Sequence, residues 1–70
     1  MKTKELTWGI YIEFGHEKEF AACKKAKFAT KKEGFRWCGD PELNKTGYTY
    51  PQRCVMRITE ILERNPHYYD

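Results

Sequence analysis

Basic side chains are concentrated in one short stretch of this 70-residue chain. Residues 24–36 contain six basic groups and one acidic group, a net charge of +5, whereas the rest of the chain carries −2. The basic residues of the stretch are Lys24, Lys25, Lys27, Lys31, Lys32 and Arg36. Such a cluster can neutralise phosphates or meet an acidic protein surface. It can equally be the solvated face of a helix, because lysine is a good helix former.

Aromatic residues are interleaved with this basic stretch. Phe28 and Trp37 lie within or beside it, and Tyr48 follows a turn-rich segment. Exposed rings beside cations are typical of surfaces that stack the bases of single-stranded nucleic acid. The alternative is that so small a domain needs most of its aromatic residues for its core. The six basic residues, Phe28, Trp37 and Tyr48 are therefore the candidate contacts with a partner.

No sequence pattern indicates an enzyme. The chain has no glycine fingerprint, phosphate-binding loop or nucleophile elbow, and a chain this short rarely encloses a substrate pocket. Zinc sites use Cys or His pairs a few residues apart, whereas the closest two here, His16 and Cys23, are 7 residues apart. We expect no catalytic residues, no metal ligands and no cofactor.

The cysteines indicate a reducing compartment. Cys23, Cys38 and Cys54 are odd in number and widely spaced, unlike the dense, even sets of secreted disulfide-bonded domains. No signal-peptide pattern is found, nor any apolar run of about 20 residues that would span a membrane. The expectation is a cytoplasmic protein with reduced thiols and no membrane association.

Five elements are predicted to position these residues. Alternation over residues 5–14 indicates a strand whose core face holds Leu6, Trp8, Ile10, Ile12 and Phe14. A stripe of small residues indicates a first helix over residues 16–33, ended by Gly34. Short strands are predicted at residues 35–38 and 48–50. A second helix over residues 50–64 follows from the spacing of Cys54, Val55, Ile58, Ile61 and Leu62.

The β-α-β-β-α order predicts an α+β fold. We expect a single compact domain over residues 1–70, with its core at about 5–64 and a tail at 65–70 that either docks its tyrosines on the sheet or stays loose. The three-stranded sheet is expected to be mostly antiparallel, with both helices packed on one face.

Three functions fit these expectations. The first is a small protein-binding module of the inhibitor type that viruses and mobile elements use, directed at a host factor that handles nucleic acid or serves in defence. Exposed aromatic residues would be its anchors. The second is a nucleic-acid-binding module that uses residues 24–36 and the neighbouring aromatic rings. The third is a self-associating subunit, a homodimer whose thin core is completed by its partner.

Overall fold

The computed structural model describes residues 5–70. The predicted domain begins at Met1, so its first four residues lie outside this part of the chain. The strands are β1 (Trp8–Ile10), β2 (Lys27–Phe28) and β3 (Val55–Arg57). The helices are α1 (Glu17–Lys25), α2 (Lys31–Gly39), α3 (Pro41–Asn44) and α4 (Ile58–Arg64), with a 3-10 turn at Gln52–Cys54.

The three strands form one antiparallel sheet in the order β2-β1-β3. Trp8 of the central strand lies opposite Phe28 on one side and Arg57 on the other. Gly9 likewise lies between Lys27 and Met56. With helices packed against this sheet, the chain is a compact α+β globule, which confirms the predicted fold class.

Helices cover both faces of the sheet. Successive residues of a strand point to opposite faces, so the contacts of neighbouring strand residues show which helix lies on which face. On the Ile10 side, the core contains Cys23 of α1, Trp37 and Cys38 of α2 and Val55 of β3, together with Ile12 after β1 and Ala26 after α1. On the Gly9 side, a smaller cluster joins Met56 of β3 to Ile61 of α4 and to Tyr68. The expectation that both helices share one face therefore needs correction, since α1 and α2 lie on one face and α4 on the other.

The predicted helix over residues 16–33 is two helices separated by a strand. Helix α1 ends at Lys25, where Ala26 turns into extended conformation. Residues 27 and 28 then pair with β1, which supplies their backbone hydrogen bonds. Thr30 caps α2, and its Oγ1 accepts a hydrogen bond from the backbone N–H of Glu33 over 3.3 Å.

The other predicted elements are also placed differently. Residues 35–38 belong to α2 and are no strand, and residues 48–50 form none either. The backbone N–H of Tyr50 nevertheless donates to the carbonyl of Cys38 over 2.9 Å, which ties this segment to α2. The predicted helix over residues 50–64 contains the 3-10 turn, β3 and α4. Val55 and Met56 are consecutive strand residues that face opposite sides of the sheet, one in each core cluster.

Two residues expected in the core lie outside it. Strand β1 is shorter than the predicted residues 5–14, and Leu6 and Phe14 beyond its ends are 53% and 88% exposed. Residues 65–70 instead contribute to the core, because Tyr68 is 2% exposed. Within residues 5–70, no helix has both the length and the apolar character needed to cross a membrane.

Candidate binding surface

Trp8 lies at the centre of a row of side chains that crosses the sheet. Phe28 and Arg57 flank it on the two neighbouring strands. The guanidinium carbon of Arg57 lies 4.6 Å from the centre of the Trp8 ring, at cation–π distance.

A second cation reaches the same indole from helix α2. The Nζ of Lys31 lies 5.8 Å from the Trp8 ring centre and 5.6 Å from that of Phe35, one turn further along the helix. Lys31 and Arg57 are both exposed, whereas Trp8 and Phe35 are half-buried. Residues from β1, α2 and β3 therefore hold two cations around one aromatic ring.

An apolar hollow adjoins Arg57. Its lining consists of Leu6, Thr7, Arg57, Ile58 and Thr59, and its volume is about 290 Å³. Leu6 is the exposed apolar side chain at its edge. We call Leu6, Trp8, Lys31, Phe35 and Arg57 the Trp8 surface. This surface offers two cations beside a place for an aliphatic side chain.

No carboxylate of residues 5–70 lies within ion-pair distance of the cations of the Trp8 surface. Across residues 5–70, the one ion pair joins His67 to Asp70, at 2.7 Å on the exposed C-terminal segment. Lys31 and Arg57 therefore have no carboxylate partner within the described part of the chain. Their charge is available to an anionic ligand, and the adjacent aromatic rings limit how far their head groups can move.

The structure does not bring the predicted basic residues together on one surface. Lys24 and Lys27 lie against the C-terminal tyrosines, with Nζ 5.8 Å from the Tyr68 ring and 4.8 Å from the Tyr69 ring, respectively. The predicted helix over residues 16–33 would have placed Lys24, Lys27 and Lys31 along one face, and the break at residue 26 removes that alignment.

The remaining predicted basic residues do not share one surface. Lys25 and Lys32 are exposed on different helices. Arg36 lines a second groove together with Phe28, Trp37 and Leu43. Two carboxylates, those of Glu33 and Asp40, line the same groove. This groove is therefore not a basic site.

The predicted aromatic contacts are mostly part of the core. Trp37 is 9% exposed. Its ring stacks on Tyr50 with centroids 6.0 Å apart and lies 6.2 Å from Phe28. Tyr48 is exposed, but its loop is fixed by Asn44, whose Nδ2 donates to the Tyr48 carbonyl over 3.0 Å. These rings form no open platform on which bases could stack.

The sequence predicts neither Trp8 nor Arg57 as a binding residue. The alternation of Trp8 with Ile10 predicts Trp8 in the core, and Trp8 is half-buried and packs against the core cluster. Arg57 falls within the predicted helix over residues 50–64, outside its apolar positions. The sequence contains one indication of this strand. In Val55–Arg57, a β-branched residue, which favours strands, is followed by one apolar and one polar residue. Only strand pairing brings Arg57 beside Trp8.

Burial governs the titratable groups of the core. It raises the pKa of the Cys23 and Cys38 thiols to about 12, and it also raises the pKa of Cys54. These thiols are therefore protonated at neutral pH, and the thiolate is the nucleophilic form. Among residues 5–70, no three His, Cys, Asp or Glu side chains are grouped as a metal ion would require.

The fold and the surface together define a small α+β domain with an unneutralised basic–aromatic surface. Comparison with protein-family models, with curated proteins and with solved structures gives no match to this chain.

Proposed function

We propose that this chain is a small non-enzymatic binding module of the inhibitor type, which docks an acidic protein surface on its Trp8 surface. The observation that carries the proposal is the pair Lys31 and Arg57, two cations at one indole without a carboxylate partner in residues 5–70. Carboxylates of the partner would take that place, and the guanidinium group can bind one of them through two N–H donors.

The neighbouring apolar hollow favours a protein over a nucleic acid. Leu6 is 53% exposed beside Arg57, so an aliphatic side chain of the partner can pack there while its acidic neighbours meet the cations. Recognition of single-stranded nucleic acid requires open aromatic faces. Trp8 instead carries two cations, and Trp37 is buried.

Fluorescence anisotropy with two probes tests the proposal. One probe is a short labelled peptide rich in Asp and Glu with one central Leu, and the other is a labelled oligothymidylate of equal charge. We expect the peptide to bind more tightly and its affinity to fall with added salt. Replacing that Leu by Ser should weaken binding, because the hollow would remain unfilled.

Charge reversal locates the site. The double variant Lys31→Glu with Arg57→Glu should lower peptide affinity by about tenfold or more. Lys18→Glu with Lys25→Glu is the matched control, since it changes the net charge equally on helix α1, and it should lower affinity less than about threefold. Three results would each contradict the proposal: an equal loss of peptide affinity in the two double variants, tighter binding of the oligonucleotide than of the peptide, or no peptide binding at low salt.

A further inference from the structure

A separate surface surrounds Phe14, between β1 and α1. Phe14 is 88% exposed, more than any other large apolar side chain of residues 5–70. It stands at the edge of a groove of about 320 Å³ whose apolar lining includes Tyr11, Ile12 and Met56. The exposed ring and the apolar lining of the groove adjoin one another, and contiguous apolar surface rimmed by polar residues is typical of an interaction site.

Charges of both signs line the same groove. Glu13 precedes Phe14, and Arg53 and Arg64 lie on the 3-10 turn and on helix α4. Within residues 5–70, these three side chains form no ion pair with one another or with any other group. The groove therefore presents an unpaired carboxylate and two unpaired guanidinium groups around an apolar centre.

We infer that the occupant of this groove is the Phe14 surface of a second copy of this chain. A two-fold interface requires one patch to be complementary to itself, with a projection, a recess and charges of both signs. The Phe14 surface, made of Tyr11, Glu13, Phe14, Arg53, Met56 and Arg64, has each of these features. Phe14 of each copy would enter the groove of the other, and each Glu13 would meet the opposite arginines.

The groove is small, so the dimer should be weak. Stable dimers bury at least about 1,200 Å² of total surface, far more than one loop and one groove provide. The association should therefore depend on concentration and on salt. Its residues are not those of the Trp8 surface, so this inference does not rest on the proposed function.

Sedimentation equilibrium tests the inference on the intact chain, from about 10 µM to about 1 mM at low salt. We expect a reversible rise from the 8.4 kDa monomer toward twice that mass. Phe14→Ala should weaken association by about tenfold or more, because it removes the central side chain. Leu43→Ala is the matched control, since Leu43 is also exposed, at 48%, but lies outside the groove. Circular dichroism verifies that both variants fold.

A charge exchange gives a second, independent reading. Glu13→Arg leaves only positive charges around the groove, and Arg53→Glu with Arg64→Glu leaves only negative ones. Each variant should be monomeric alone, and an equimolar mixture should form a heterodimer. Three outcomes would overturn the inference: a wild type that is monomeric at about 1 mM, a Phe14→Ala variant that associates as strongly as the wild type, or an equimolar mixture of the two charge variants that stays monomeric.

Discussion

The hydroxyl of Tyr68 donates a hydrogen bond to the carbonyl oxygen of Ile10 over 2.8 Å and lies 3.2 Å from the backbone N–H of Ile12, which donates to it. One side chain near the C-terminus thus satisfies two backbone groups at the end of the central strand. Ile10 is completely buried, so water cannot replace this partner. Of the two alternatives that the sequence left open for residues 65–70, tyrosines docked on the sheet or a loose tail, the structure has the first.

Replacing Tyr68 by Phe should lower the free energy of unfolding by about 1 to 3 kcal/mol, because the carbonyl of Ile10 and the N–H of Ile12 lose their common partner in a buried place. Tyr69→Phe is the control, since the Tyr69 hydroxyl is buried and has no hydrogen-bond partner among residues 5–70. Its removal should be neutral or slightly stabilising. Urea denaturation measures both variants, and equal destabilisation by the two would contradict this role of Tyr68.

Gly34 and Gly39 of helix α2 should respond oppositely to alanine. A Cβ at Gly34 would lie 2.7 Å from Cγ1 of Val55, so Gly34→Ala would force α2 away from β3. We expect a loss of about 1 to 3 kcal/mol despite the better helix propensity of alanine. Apart from its chain neighbours and the backbone of its own helix, no atom of residues 5–70 lies within 4 Å of a Cβ at Gly39, so Gly39→Ala should be neutral or stabilising. Thermal unfolding of the two variants compares them, and a stabilising Gly34→Ala would show that the two elements are not tightly packed.

The sequence predicts the fold class because local patterns carry part of the structure. Ile10 and Ile12 alternate as strand residues and are both buried, and Cys23 lies on the predicted face of α1. The break after Lys25 is not visible in local propensity, since lysine and alanine on both sides favour a helix. The pairing of residues 27 and 28 with β1 ends the helix there, and that contact is non-local. The spacing of Thr30 and Glu33 was the one local sign that a new helix begins.

The candidate site was only partly predictable for a similar reason. Lys31 belongs to the basic stretch that composition reveals, and it lies on the Trp8 surface. Trp8 and Arg57 are far apart in sequence, and only the register of β1 against β3 places them side by side. That register depends on Val55–Arg57 being a strand, which the helix-like spacing of the neighbouring apolar residues conceals.

The three thiols should differ in their rate of modification. Cys23 and Cys38 are 0% and 1% exposed, whereas Cys54 is half-buried. Burial raises the pKa of all three, so each should react with a disulfide reagent more slowly than a free thiol. We expect Cys54 to react first in the native protein, and all three to react rapidly in denaturant. Mass spectrometry of the singly modified protein identifies the site, and modification of Cys38 first would contradict the packing described above.

The carboxylate of Glu19 joins the start of α1 to the segment after α3. Its Oε2 accepts from the backbone N–H of His16 over 3.0 Å, and its Oε1 accepts from the Tyr50 hydroxyl over 2.8 Å. These two hydrogen bonds hold the pKa of Glu19 below its ordinary value of 4.5, and the bond from His16 has the larger effect. Since the unfolded chain binds this proton more readily, the stabilisation is present above the ordinary pKa and is lost as the pH falls through the lowered one.

Glu19→Gln should therefore be less stable than the wild type at pH 7, and the difference should shrink below pH 4.5, the ordinary pKa of this group. Tyr50→Phe removes one of the two hydrogen bonds and should move the transition of Glu19 partway back toward that value. Glu17→Gln is the matched control in the same turn of α1, since its side chain is exposed and makes no hydrogen bond among residues 5–70. The midpoints of urea denaturation, measured from pH 7 down to about pH 3, give the pH dependence of stability for each variant. Two results would contradict this role of the hydrogen bonds. Either Glu19→Gln leaves the pH dependence of the urea midpoint unchanged, or Glu17→Gln reduces it by the same amount. Both would show that the two hydrogen bonds do not stabilise the charged form of Glu19 preferentially.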